Sequence, residues 1–214
     1  MKRREFSARA ATLLGASALP GLAWAQRKPE EGKDFRALDK KLPSDTPPGK
    51  IDVIEFFWYS CPHCNAFEPR LVTWIKNLPP DVVMKRVPVS FRDDFVPQQR
   101  LFYTLEALGK VDDLHAKVFE AVHAQKQPLA REDAIIDFLA KHGVDKAKAQ
   151  ETYNSFSVQT KARRATQVQD AYKVEGVPAL GIAGRFYTDA TMAGTMEKAL
   201  QVTEYLLAEI RKGK

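Results

Sequence analysis

The sequence predicts an α/β protein built as a βαβ unit, an all-helical insertion and a closing ββα unit. Three observations carry this expectation. Apolar runs rich in β-branched and aromatic residues occur near 51–58 and 82–89, helical periodicity continues from about 95 to 173, and short strand-like runs return before a last amphipathic segment. A chain of 214 residues can bury one sizeable core, or one core with an appended subdomain.

The first 25 residues read as a targeting segment: basic Lys2, Arg3 and Arg4, a weakly apolar run over 10–22, then Ala23-Trp24-Ala25 as a small-x-small cleavage site. The run is broken by Gly15, Ser17, Pro20 and Gly21 and is shorter than the roughly 20 residues needed to span a bilayer, which argues against an anchor. Lys2-Arg3-Arg4-Glu5-Phe6 is similar to a twin-arginine export signal, and the export route stays open. This segment also holds part of the positive charge. Without its four basic residues and one acidic residue, the surplus falls from +6 to +3. So mild a surplus, spread among acids and not clustered, gives no support to nucleic-acid binding, and no nucleic acid is expected as a partner.

Residues 26–50 are polar and rich in Pro and Gly, forming a leader with room for one short strand or helix. Ile51-Asp52-Val53-Ile54-Glu55-Phe56-Phe57-Trp58 follows as a strand buried on both faces. A helix over 62–77 places Phe67, Leu71, Trp74, Ile75 and Leu78 on one side, and the strand at 82–89 should run parallel to the first, since a helix separates them. The insertion shows apolar stripes at Leu101, Phe102, Leu105 and Leu108, at Leu114, Val118, Phe119 and Val122, and at Ile135, Phe138 and Leu139, giving three to five helices. Gly109 and Gly143 fall where helix C-terminal caps are expected. Runs at 179–183 and 185–188 form a hairpin around Gly184, although Ala-Gly is a weaker turn signal than Asn-Gly. The last helix, 195–211, turns Met196, Ala199, Leu200, Thr203, Leu207 and Ile210 inward.

Only two cysteines exist, three positions apart, so they read as a working site and not as a scaffold of staples. Cys61-Pro62-His63-Cys64 joins a buried strand to a helix. Pro62 suits the first helical position, which puts Cys61 at the N-cap, facing unpaired backbone N–H groups and the positive end of the helix dipole. Both favour thiolate over thiol, and His63 adds a donor or partial positive charge in the same turn. A stabilised thiolate lowers the energy of the reduced form and makes the disulfide a strong oxidant. Zinc binding would need two further ligands that the motif does not supply, and haem attachment would need His where Asn65 stands. A purely structural disulfide remains as an alternative, yet so small a ring constrains little of the unfolded chain.

The stretch from Glu55 through Cys61-Pro62-His63-Cys64 to Phe67-Glu68-Pro69 resembles the active site of the DsbA family of periplasmic thiol:disulfide interchange proteins, and Gly176-Val177-Pro178-Ala179 resembles the family's second signature. The resemblance implies a thioredoxin fold over 51–94 and 174–214 with the helical insertion at 95–173, and the protein disulfide as the only redox group, without cofactor or metal. It implies a periplasmic oxidant that gives its Cys61–Cys64 disulfide to reduced, unfolded exported proteins and is reoxidised by a membrane DsbB-type, quinone-linked partner. A monomer is favoured. Trp58-Tyr59-Ser60 departs from the aromatics of the best-known members, which should affect substrate groove shape more than chemistry.

Supporting residues carry competing readings. A carboxylate buried in a strand needs a partner or a proton. The resemblance places Glu55 beneath the disulfide as proton donor or acceptor for Cys64; otherwise it reaches solvent or pairs with Lys85 or Arg86. Glu68 joins the same charge network or lies on a solvated face. Trans proline at a strand start is the ordinary case, with only about one folded X-Pro bond in twenty cis. The resemblance implies a cis Pro178 facing the cysteines, with Gly176 and Val177 open to an extended substrate backbone. Phe57, Trp58, Tyr59 and Phe67 could line a groove, Phe57 and Phe67 reading more as core. His115, His123 and His142 read as surface or internally satisfied helix residues. Two rivals remain: a periplasmic reductase or isomerase, and a peptide-binding holdase with incidental cysteines. An isomerase would bring a dimerisation domain, for which residues 26–50 are too few.

Overall fold

The computed structural model describes residues 27–213, so the expected signal segment lies outside the described residues. The interior strand β2 (Ile51–Phe57) is buried at every position, as its apolar run requires. It pairs in parallel with β3 (Val82–Pro88) through the crossover helix α1 (Pro62–Lys76), and antiparallel with β4 (Ala179–Ile182). The sheet order is β1-β5-β4-β2-β3, closed at one edge by β5 (Phe186–Asp189) and the two-residue β1 (Arg36–Ala37) from the leader. This is the expected α/β architecture with thioredoxin-like order.

Between β3 and β4 a single 3₁₀ turn (Asp93–Phe95) leads into five helices: α2 (Val96–Ala107), α3 (Val111–His123), α4 (Glu132–Lys141), α5 (Lys146–Tyr153) and α6 (Phe156–Ala171). After the hairpin come a one-turn helix, α7 (Ala190–Ala193), and α8 (Met196–Lys212). The sheet separates two apolar clusters. Ile54, Phe56 and Ala179 pack against the helical insertion, whereas Val53, Leu180 and Ile182 pack against Phe67 and Leu71 of α1 and Leu200, Leu206 and Leu207 of α8. No helix among the described residues is long and apolar enough to cross a membrane.

Two stripes differ from their sequence patterns. On α1 only Phe67 and Leu71 of the apolar side are buried, while Trp74, Ile75 and Leu78 lie at the margin where the helix runs past the sheet. On α8 the buried face is broader, adding Val202 and Leu206, and the end residues Met196 and Ile210 are only partly covered.

The hairpin turn keeps Ala183 and Gly184 both at positive φ, 55° and 63°, as a type I′ connection demands, so Ala-Gly here does the work of Asn-Gly. Just before it, Gly181 leaves room for Tyr172: a β-carbon at 181 would stand 2.5 Å from the ring. The ring is buried and its hydroxyl accepts the Gly184 N–H at 3.0 Å, so it cannot retreat freely. Gly181→Ala should therefore destabilise the protein by about 1–3 kcal/mol, the usual cost of overpacking. A denaturant midpoint equal to that of the parent protein would contradict this account.

Candidate active site

Cys61 sits at the N-cap of α1, in extended backbone, with Pro62 in the first turn. Its sulfur accepts the Cys64 backbone N–H at 3.4 Å and lies 3.4 Å from the Val177 carbonyl oxygen. Both cysteines are thiols, so this is the dithiol form. The Cys61 pKa is lowered to about 6. The Cys64 thiol, donating to the Cys61 sulfur, contributes most, and burial opposes it. The backbone N–H groups of Cys64 and His63 and the nearby His63 ring contribute the rest. Cys64 moves the other way. Burial pushes its thiol well above the ordinary range, and the facing Cys61 sulfur and Glu55 add to that.

Glu55 is fully buried on β2 and takes an ion pair from Arg86 Nε at 3.0 Å. Register explains why Arg86 and not Lys85 is its partner. Arg86 stands opposite Glu55 in the parallel pair, while Lys85, one residue away, alternates to the other face and meets Asp45. The same guanidinium reaches Glu68 Oε1 through Nη2 at 2.6 Å, so Glu68 belongs to the network. Burial raises Glu55 to about 7, against the pull of Arg86 and with the push of Glu68. Burial also resists ionisation of Glu68, but contacts with His115 and Arg86 outweigh it and its pKa is lowered.

The Val177–Pro178 peptide is cis. Gly176, Val177 and Pro178 line a groove of about 680 Å³ together with the exposed His63, the half-buried Met192 and the buried Phe67. Of the aromatics expected at a groove, Phe57 and Tyr59 are core residues and only Trp58 stays half-buried, stacked on Phe95 at 3.8 Å. Tyr59 is buried because its hydroxyl pairs with His115 Nδ1 at 2.8 Å.

The insertion also grips the segment ahead of Cys61, which the sequence patterns did not reveal. His123 Nε2 lies 2.8 Å from the Tyr59 carbonyl oxygen. Gln98 accepts the Ser60 N–H at 3.1 Å and donates its amide to Ser60 Oγ at 2.7 Å and to the Pro128 carbonyl at 2.6 Å. His115 is thus no surface residue; it is 3% exposed. The available signal was positional: Gln98 falls on the stripe of Leu101 and Phe102, and His115 on that of Val118 and Phe119. His142 turns back to its own helix, through Nδ1 to the Phe138 carbonyl.

A dithiol whose outer sulfur ionises near neutrality while the inner one stays protonated is suited to trade disulfides, and the sheet that carries it is thioredoxin-like: the class is thiol-disulfide oxidoreductase. A model of the DSBA-like thioredoxin domain matches residues 84–201. The thiol:disulfide interchange protein DsbA of Burkholderia cepacia is 40% identical over 203 residues, covering 94% of this chain and 96% of that protein. The crystal structure of Pseudomonas aeruginosa DsbA superposes with a TM-score of 0.81 at 41% identity, over 85% of this chain and 94% of that one. Oxidoreductase DsbA from Xylella fastidiosa gives a TM-score of 0.81 at 28% identity, over 86% and 99%. This chain belongs to the DsbA family, and it is a thiol-disulfide oxidoreductase that oxidises its substrates.

Proposed function

We propose that the chain serves oxidative folding in the periplasm, after loss of residues 1–25, with Cys61 as the sulfur attacked by substrate. A substrate thiolate attacks Cys61 Sγ in the Cys61–Cys64 disulfide, forming a mixed disulfide and releasing Cys64 as a thiolate. Cys64 takes a proton, for which Glu55, neutral up to about pH 7, is the donor at hand. A second substrate thiolate then attacks the substrate sulfur, and Cys61 leaves as a thiolate. Two substrate thiols have lost two electrons and the Cys61–Cys64 pair has gained them. Gly176, Val177 and Pro178 present the substrate backbone to Cys61, and Pro62 and His63 favour its charge. A membrane DsbB-type partner linked to quinone restores the disulfide.

One observation carries this reading: Cys61 caps the N-terminus of α1 with its sulfur accepting the Cys64 N–H while Cys64 is fully buried, which favours charge on Cys61 over Cys64, makes Cys61 the better leaving group and the dithiol the favoured redox state. Titrating thiolate absorbance of the reduced protein should show one ionisation near pH 6. A single wave in the alkaline range of free cysteine would overturn the proposal. The same asymmetry sets relative stability. Cys61 has a folded-state pKa below its unfolded value, so its contribution is complete above the unfolded value and is lost as pH falls through about 6. At pH 7 the reduced protein should outlast the oxidised one in denaturant, with the gap narrowing toward pH 5. In glutathione buffers it should stay reduced until the buffer is strongly oxidising, which separates an oxidant from a reductase or a holdase.

A further inference from the structure

The charges beneath Cys64 continue into the helical insertion through His115 of α3, a residue that disulfide exchange itself does not call for. Its ring stands among Phe57, Tyr59, Phe102 and Phe119, with centroids 5.2–6.0 Å away. An imidazole in such a pocket is costly unless its nitrogens are engaged, and a phenylalanine would pack there without that demand. Nδ1 is engaged by Tyr59. Nε2 has no hydrogen-bond partner among the described residues, yet it faces Glu68 Oε1 at 3.5 Å.

Charge fixes the tautomer. Burial holds the Tyr59 phenol well above its ordinary pKa, so it keeps its proton and can donate to Nδ1. Burial also lowers the His115 pKa, leaving one ring proton, which then resides on Nε2 and points at the carboxylate. The opposite tautomer would aim a lone pair at Glu68. The groups that meet here are Glu55 from β2, Arg86 from β3, Glu68 and Cys64 from α1, Tyr59 from the segment before Cys61, and His115 itself. Arg86 is one cation shared by two carboxylates, so one carboxylate is balanced and the other has reason to hold a proton. Among the described residues Glu55 has Arg86 alone, whereas Glu68 has Arg86 at 2.6 Å and His115 Nε2 facing it at 3.5 Å.

We infer that His115 is a positioning residue of the proton inventory: by turning Nε2–H toward Glu68 it keeps that carboxylate charged and leaves the shared proton on Glu55, beside Cys64. The functional consequence rests on the reading of Glu55 as the proton partner of Cys64. The placement of the proton does not, and it can be read without any disulfide exchange.

The test is a ¹³C NMR titration of the Glu55 and Glu68 side-chain carboxyls in the reduced full chain. His115→Phe fits the aromatic pocket but lacks the donor. It should move the Glu68 midpoint up and the Glu55 midpoint down, each by about one pH unit. His115→Gln, able to accept from Tyr59 and donate to Glu68, should restore both midpoints. Unchanged midpoints in folded His115→Phe, or both moving the same way, would overturn the inference while the oxidant reading stood. Should His115→Phe fail to fold, ¹⁵N shifts of the His115 ring in the unaltered protein decide the matter: a proton on Nε2 is expected, and a proton on Nδ1 would sink the proposal.

Discussion

Cys61→Ser is expected to bring disulfide donation down to the uncatalysed background, whereas Cys64→Ser should leave the protein covalently trapped on its substrates. The difference follows from the two environments. Cys61 carries the sulfur that ionises near pH 6 and lines the approach from the Val177 carbonyl, so attack and departure both use it. Serine at the N-cap of α1 still accepts the Cys64 N–H, because serine is among the best N-caps, so the loss should be chemical and not a loss of fold. In Cys64→Ser, Cys61 can still attack a disulfide-bearing protein, but the inner thiol that would release the mixed disulfide is gone. Mass spectrometry after mixing with oxidised and reduced client proteins reads both outcomes. Full donation by Cys61→Ser, or trapping by that variant and not the other, would reverse the assignment of the two sulfurs.

What could be read in the sequence was what depends on neighbours along the chain. The N-cap placement of Cys61 needs only a strand end, Pro62 and a helix, all local, and it is where the structure puts that residue. Three of the five insertion helices, α2, α3 and α4, declared themselves through the 3.6-residue period, whereas α5 and α6 carry no named stripe, and the crossover order fixed the parallel pairing of β2 with β3. Features that arise from distant pairing were not legible. The leader was expected to hold one short strand or helix, but which of the two and where was not readable: the strand Arg36–Ala37 is two residues long and pairs with β5 about 150 residues later. Whether Glu55 would meet Lys85 or Arg86 hinged on a one-residue register, which flips every side chain to the other face. His115 was one polar residue on an apolar stripe, and nothing local distinguishes a snorkelling histidine from one aimed at a carboxylate on another helix. Tyr59 followed the same course, since its burial depends on finding that histidine.

Glu55→Gln should raise stability at neutral pH and flatten part of the pH dependence. Glu55 has a folded-state pKa of about 7 against an ordinary 4.5, so the folded dithiol form holds a proton that the unfolded chain gives up between those values. Stability therefore falls as pH rises through this window, is unaffected by this group below it, and has lost the full amount above it. A shift of that size corresponds to about 3 kcal/mol. Glutamine offers an amide oxygen to Arg86 Nε in place of the carboxylate, and Arg86 keeps its charge balanced by Glu68 at 2.6 Å, so no unpaired ion is left behind. Surface carboxylates held low by lysine or arginine, such as Asp39 and Asp133, contribute with the opposite sign, but they are common to both proteins and cancel in the comparison. Unfolding of the reduced forms at pH 5, 6, 7 and 8 should show the two curves together at the acid end and separated by up to about 3 kcal/mol at the alkaline end. A variant less stable than the parent at pH 8 would mean that the Glu55 carboxylate is held favourably as an ion. A group held that way could not be the proton donor that Cys64 needs when the disulfide opens.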